Sequence, residues 1–174
     1  MDMATKLPDG TAWPSVLATQ VSTGKGLLLF GRLSPPAAVL NAFGISLGAA
    51  RNPSLLEESG TGQAPMLSPS FVPFLSSFSD TRPTLFNGFS LVLAPHAPSV
   101  TAAIFPGSGS GAGADADAIV ISSSGRGIYN GFSPDDYFAA PNADFDGDGV
   151  KDVIELIENE MIQALWGLPP GTPN

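Results

Sequence analysis

A cluster of acidic residues near the C-terminus is spaced like the ligands of a hard metal ion. Asp144, Asp146 and Asp148 occupy alternate positions, Gly149 follows them, and Glu155 closes the segment. Calcium takes six to eight oxygen ligands at about 2.3–2.6 Å, so several carboxylates must lie on one tightly turned stretch. Carboxylates forced together repel one another unless a cation neutralises them. The spacing therefore predicts a calcium site.

The predicted site contains a suitable oxygen at every ligand position. Its ligands would be five side-chain carboxylates and one backbone carbonyl, at Asp144, Asp146, Asp148, Val150, Asp152 and Glu155. Val150 offers the carbonyl, Asp152 binds directly or through a water, and Glu155 uses both oxygens. Magnesium prefers six ligands at about 2.0–2.1 Å and keeps several waters, so a complete protein cage favours calcium as the cofactor.

The segment DFDGDGVKDVIE, residues 144–155, resembles an EF-hand loop. It is more similar to the calcium loops of bacterial dockerin-type and thrombospondin-type-3-like segments, and the resemblance covers residues 142–166. Two residues depart from a regulatory EF-hand: Lys151 replaces a usual apolar residue, and Pro141 interrupts any entering helix. The sequence holds no second loop of this kind. Because sensor EF-hands work by separating two helices, this loop is expected to fasten one helix instead.

Composition favours a mainly β protein rich in turns. The 174 residues include 20 Gly and 17 Pro, which are poor helix formers, and 43% are hydrophobic, enough for a real core. We predict a sandwich or jelly-roll-like domain with a short C-terminal calcium-loop helix. Residues 1–26 would form an N-terminal arm or first strand, 27–132 a β-rich core, and 133–174 the calcium loop and C-terminal helix.

Apolar runs between turn residues predict the individual strands. The segments expected to be strands are residues 16–21, 26–33, 44–50, 85–94, 99–105 and 118–124. Residues 85–94 and 99–105 flank the short turn PHAP and are expected to form a hairpin. The pattern at 37–43 fits either a helical turn or a strand, and a helical turn is expected at 54–58. Prolines at 65–83 predict an extended segment.

A helix is predicted over residues 152–166. Gly167 and Pro169 follow it, as expected at a helix C-terminus. Its expected buried face, read from 3.6-residue spacing, consists of Val153, Ile154, Ile157, Met161, Ala164 and Leu165. A second, shorter helix is expected to start at residues 133–136.

The residue types needed for most catalytic sites are missing or scattered. There is no Cys, and the only histidine, His96, lies in a Pro-rich turn where a surface position is expected. The one G-x-S-x-G match, at residues 44–48, lies in a segment expected to be a strand and not on the strand-to-helix turn that a nucleophile elbow requires. We therefore expect no enzymatic activity. The net charge of −9 and the absence of a basic stripe argue against a nucleic-acid partner.

These features favour a calcium-stabilised structural protein of an extracellular or particle assembly, such as a virion component or surface filament subunit. We expect a homo-oligomer or larger assembly, with an extracellular, cell-surface or virion location. No apolar run reaches the roughly 20 residues of a membrane span, and no classical signal peptide is visible. The alternative is a calcium-dependent carbohydrate- or partner-binding module of a secreted protein. That alternative predicts an exposed face shared by Trp13, Tyr129 and Tyr137.

Overall fold

The fold was obtained as a computed structural model, which describes residues 12–31, 35–48, 55–58, 82–83, 92–105, 116–133 and 149–166. Within these ranges the helices are α1 (Trp13–Ser22), α2 (Ala37–Phe43) and α3 (Asp152–Trp166). The strands are β1 (Leu27–Phe30), β2 (Ile45–Leu47), β3 (Leu55–Glu58), β4 (Arg82–Pro83), β5 (Leu93–Pro95), β6 (Val100–Phe105), β7 (Ala116–Ile121) and β8 (Gly127–Asn130). The predicted mainly β class is confirmed.

The described strands form one curled, mixed sheet that resembles half of a barrel. Its main path runs β1-β8-β7-β6-β3-β4, and β5, itself paired with β2, joins β7 through Leu93 and Asp117. The pair β1–β8 is parallel, and the other pairs are antiparallel. The finer prediction of a sandwich or jelly roll stays a prediction.

Helices cover both faces of this sheet. On one face α3 packs over an apolar cluster of Ala102, Ala118, Ile119, Ile121, Ile128, Phe132, Leu156 and Ala164. On the other face α1 and α2 contribute to a cluster of Val21, Val39, Phe43, Ile45, Leu93, Val120 and Tyr129. Strand β1 sends Leu28 to the first cluster and Leu29 to the second. Its uninterrupted apolar run follows from this two-sided packing.

Two segments adopt a different secondary structure from the one predicted. The strand expected at residues 16–21 is wrong, because these residues belong to α1. Pro14 lies in the first turn of that helix, and Leu17 and Val21, one turn apart, both join the cluster beneath α1 and α2. The helical turn expected at 54–58 is wrong as well. There Leu55–Glu58 is strand β3, which pairs with β6.

Strand pairing also differs from the sequence prediction around the PHAP turn. Within the described residues 92–105 the expected hairpin is wrong: β5 pairs with β2 and β7, while β6 pairs with β3 and β7. Residues 85–91 of its first predicted strand lie outside the described residues. Strand β6 finds a longer partner in β7, from Val100 opposite Ile121 to Phe105 opposite Ala116. The ambiguous residues 37–43 form a helix that ends at Gly44, whose φ is 66°. Most of the extended segment predicted at 65–83, and the helix predicted to start at 133–136, lie outside the described residues.

Candidate calcium loop and the helix that follows it

The structure describes the second half of the predicted calcium loop. Asp144, Asp146 and Asp148 lie outside the described residues. Val150 is exposed just before α3, Asp152 is the first residue of that helix, and Glu155 follows three positions later. Residues three apart lie on the same side of a helix, so positions 152 and 155 are neighbours at its start.

The backbone at Gly149 has the conformation that a sharp bend requires. Its φ is 93°, in the left-handed region, and a Cβ at this position would meet nothing within 4 Å. Glycine is therefore favoured here by backbone conformation and not by crowding. The first turn of α3 follows at once, since the amide of Ile154 donates to the carbonyl of Lys151 at 2.8 Å.

No cluster of three or more His, Cys, Asp or Glu side chains is found within the described residues. Three of the six predicted ligands fall outside those residues, so calcium binding stays a prediction. What the structure adds is the route of the chain. It turns at Gly149 and enters α3 at Asp152, the helix start expected from the sequence.

Helix α3 lies on the sheet with a face different from the predicted one. Its most deeply buried described residues are Leu156, Glu160, Gln163 and Ala164. Two residues assigned to the buried face, Met161 and Leu165, are 52% and 69% exposed, so their assignment is wrong. Ile154 and Ile157 are partly buried against the core, in line with the prediction. The helix is rotated so that two polar side chains face the sheet, because both find partners there.

The C-terminal half of α3 is joined to the β7–β8 turn by reciprocal hydrogen bonds. The side chain of Gln163 donates from Nε2 to the carbonyl of Gly125 at 2.7 Å. The turn returns a bond from Arg126, whose Nε donates to the carbonyl of Ala164 at 2.8 Å. Gly26, which precedes β1, also lies close to this end of α3. A Cβ at Gly26 would lie 2.4 Å from the Ala164 carbonyl oxygen, so only glycine allows the helix to approach this closely.

Glu160 makes the second polar contact between α3 and the sheet. Asn130, the last residue of β8, donates from Nδ2 to Glu160 Oε2 at 3.0 Å and to the carbonyl of Leu29 at 3.4 Å. Neither Glu160 nor Asn130 has any exposed surface. Burial raises the pKa of the Glu160 carboxyl to about 8, and the bond from Asn130 acts in the opposite direction.

Sequence reasoning missed this buried polar pair because it placed only apolar residues on the inner face of α3. A usable signal was present in the spacing. Leu156, Glu160 and Gln163 follow the i, i+4, i+7 rule as well as the apolar set does. The partner, Asn130, is distant in sequence and ends a strand, so no local pattern connects it to Glu160.

The other residues singled out in the sequence lie apart from this helix. His96 is exposed in the turn between β5 and β6, the surface position that was predicted. Tyr129 is buried, with its ring centroid 5.5 Å from that of Phe43, and burial raises its pKa to about 12. Trp13 is half-buried in α1, and Tyr137 lies outside the described residues. Tyr129 therefore cannot belong to an exposed aromatic face.

Among the described residues no helix is long and apolar enough to cross a membrane. Helix α3 lies against the sheet, with Glu160, Gln163 and Ala164 buried. A role for the chain has to be inferred from its own residues. Neither a family model nor a curated protein nor a solved structure matches this chain.

Proposed function

We propose that this protein is a calcium-stabilised, non-enzymatic structural component of an extracellular or particle assembly, such as a virion component or surface filament subunit. Residues 144–155 would bind one calcium ion, and that ion would fix the start of α3 on the sheet. The observation that carries the proposal is the left-handed Gly149, at the sixth position of the loop, leading directly into a helix at Asp152.

Electrostatics supports a fastening role for the ion. The loop brings Asp144, Asp146, Asp148, Asp152 and Glu155 into twelve consecutive positions, and their mutual repulsion opposes the folded loop. A calcium ion bound only by the folded form removes that cost. At a hundred-fold excess over the dissociation constant it adds about 2.7 kcal/mol to the free energy of unfolding. One loop with one attached helix suits this role better than a two-helix switch.

The surface of α3 supports assembly. Met161 and Leu165 are one helical turn apart, both largely exposed, and they form a small apolar strip on the outer side of the helix. Charged residues make up only 13% of the chain, about half the usual share. Such a surface suits contact with further copies of the chain. The proposal includes the sandwich or jelly-roll packing predicted from the sequence, to which the described strands contribute one curled sheet.

The alternative of a carbohydrate- or partner-binding module depended on three aromatic residues sharing an exposed face. Tyr129 is buried against Phe43, so that face loses one of its members. No described residue gives the alternative independent support. The extracellular or virion location follows from the calcium proposal, because calcium is abundant outside cells and scarce in the cytosol.

The test compares calcium-loaded protein with protein in EGTA. Calorimetric titration measures calcium binding, thermal denaturation measures stability, and light scattering with negative-stain imaging measures assembly. We expect one bound calcium, a marked fall in melting temperature in EGTA, and assemblies that weaken without calcium. Asp146→Asn combined with Asp148→Asn should remove all three responses. Asp135→Asn combined with Asp136→Asn, which removes two acids outside the loop, is the matched control.

Two results would overturn the proposal in separable parts. An unchanged melting curve, together with no bound metal, would remove the calcium site. Calcium binding by a protein that stays monomeric at high concentration, with and without calcium, would keep the site and remove the assembly role.

A further inference from the structure

Two buried oxygen atoms between α3 and the sheet lack a hydrogen-bond partner in the described residues. Glu160 Oε2 accepts the bond from Asn130 Nδ2, but the second carboxylate oxygen, Glu160 Oε1, and the amide oxygen, Asn130 Oδ1, have no hydrogen-bond partner in the described part of the chain. Both side chains are fully buried. Buried polar atoms without partners cost free energy, and an uncompensated buried charge costs more.

A proton on Glu160 Oε1 would give both unpartnered oxygen atoms a role in a hydrogen bond. In an ionised Glu160, Oε1 and Asn130 Oδ1 are both acceptors, so neither can satisfy the other. In the neutral acid, a hydroxyl at Oε1 is a donor that can serve Oδ1, while Nδ2 continues to donate to Oε2. Carboxyl and amide groups are both planar, and two edge-to-edge bonds of this kind close a reciprocal pair. The neutral form thus satisfies every polar atom of the contact and buries no charge.

The elements around Glu160 supply no described cation to replace that proton. Strand β1 presents Leu28 and Phe30 to this side of the sheet, and the ring of Tyr129 in β8 lies on the opposite side. In the β7–β8 turn, Arg126 bonds to the carbonyl of Ala164.

Of the other described charged groups, Asp117 in β7 accepts a hydrogen bond from Thr101, and those of the segments next to α3 lie toward solvent or at the start of the helix. Lys25, between α1 and β1, is exposed, and so is Glu158 on α3 itself. Lys151, Asp152 and Glu155 belong to the predicted calcium loop and its first helical turn. No hydrogen bond joins Glu160 to any of these groups in the described structure, where its one bond comes from Asn130.

We propose that Glu160 and Asn130 form a proton-dependent latch: the neutral carboxyl of Glu160 pairs reciprocally with Asn130 to hold α3 on the sheet, and loss of its proton weakens that attachment. The latch lies in the middle of α3, five residues beyond the last predicted calcium ligand, and is distinct from the calcium loop. It makes the stability that the attached helix gives to the protein depend on pH.

The direction of the pH dependence follows from the two states. The pKa of Glu160 is about 8 in the folded protein, and its ordinary value, expected in the unfolded chain, is 4.5. Between these values the folded form binds one more proton than the unfolded form. The folding equilibrium constant therefore falls about tenfold per pH unit as the pH rises through this window. The stabilising contribution is complete below the lower value and lost above the higher one.

The experiment follows wild-type protein and Glu160→Gln by denaturant unfolding from pH 5 to 9, with saturating calcium throughout. The substituted glutamine side chain mimics the neutral acid, since its amide donates to Asn130 Oδ1. We expect the folding equilibrium constant of Glu160→Gln to exceed that of wild type by tenfold or more at pH 7, with a gap that narrows toward pH 5. Glu158→Gln, which neutralises an exposed acid on the same helix, should keep the wild-type slope. Carbon-13 NMR of the Glu160 carboxyl in the folded wild type should report a titration near pH 8.

A Glu160 carboxyl that titrates near its ordinary value would overturn the latch, because Glu160 would then be ionised at neutral pH and could not donate to Asn130. Identical pH slopes for wild type and Glu160→Gln would overturn it as well. If Glu160→Gln fails to fold, the NMR titration of wild-type protein decides by itself.

Discussion

Arg126 donates from Nε to the carbonyl oxygen of Ala164, 2.8 Å away, and so ties the β7–β8 turn to the last turn of α3. The last carbonyls of a helix lack partners inside the helix and lie at the negative end of its dipole. The guanidinium group of Arg126 supplies both a hydrogen-bond donor for the carbonyl and a positive charge at the negative end of the dipole. Gln163 reinforces the contact by donating in the opposite direction, to Gly125. The C-terminal end of α3 is thus attached to the sheet independently of the loop at its N-terminal end.

Arg126→Met should loosen this attachment while keeping most of the apolar bulk of the side chain. Because a charge-assisted bond to a helix-terminal carbonyl is lost, we expect the free energy of unfolding to fall by about 1–3 kcal/mol. Denaturant unfolding measures the change. Lys25→Met is the control, since Lys25 is exposed and its loss changes the net charge equally. Equal, small effects of the two substitutions would show that the Arg126 bond adds nothing to stability.

Gly26→Ala should push α3 away from β1. The new Cβ would lie 2.4 Å from the Ala164 carbonyl oxygen, and a backbone atom cannot move aside by changing rotamer. We expect a loss of about 1–3 kcal/mol and faster amide hydrogen exchange in α3. Gly48→Ala is a milder match, because its Cβ would meet the Cγ1 of Val92 at 3.0 Å. If Gly48→Ala destabilised the protein more than Gly26→Ala, the close approach of helix and strand would be refuted.

Sequence patterns predicted the elements whose signals are local. Strand β1 is an apolar run between glycines, and α3 begins and ends where the loop and Gly167 indicate. The hairpin at PHAP is not formed in the described residues, because neighbours in sequence need not pair and β6 has a longer register with β7. The strand expected at 16–21 failed because packing against α2 favours a helix there. In both cases the secondary structure depends on contacts with segments distant in sequence, and a local pattern carries no information about such contacts.

On the inner face of α3, too, local sequence spacing did not identify which residues are buried. Apolar spacing placed Met161 and Leu165 inside, yet both are exposed, while Glu160 and Gln163 are buried. Polar residues can occupy a buried face only where partners meet them, and those partners, Asn130 and Gly125, come from β8 and its preceding turn. The calcium loop, by contrast, depends on short-range spacing, so its residues could be read directly from the sequence as a prediction.

Thr101→Val tests a side-chain bond between neighbouring strands. Thr101 in β6 donates from Oγ1 to Asp117 Oδ1 in β7 at 2.6 Å, and Thr101 is buried. Valine keeps the shape but removes the donor to a carboxylate, so we expect unfolding to become easier by about 1–3 kcal/mol. Thr101→Ser retains the hydroxyl and should cost less. Indistinguishable denaturation curves for Thr101→Val and wild type would contradict a stabilising role for the bond.

Gly149→Ala and Gly24→Ala together separate backbone strain from calcium binding. Both glycines have positive φ, 93° and 71°, and a Cβ at either would meet no atom closer than 3.9 Å. Each alanine should therefore lower stability by a similar amount, about 1–2 kcal/mol, through backbone strain. Only Gly149 lies in the predicted loop, where the bend brings carboxylates on both sides of it toward one ion. Calorimetric titration should thus show weaker calcium binding for Gly149→Ala and unchanged binding for Gly24→Ala. Equal calcium affinities for the two variants would mean that the bend at Gly149 does not shape an ion site.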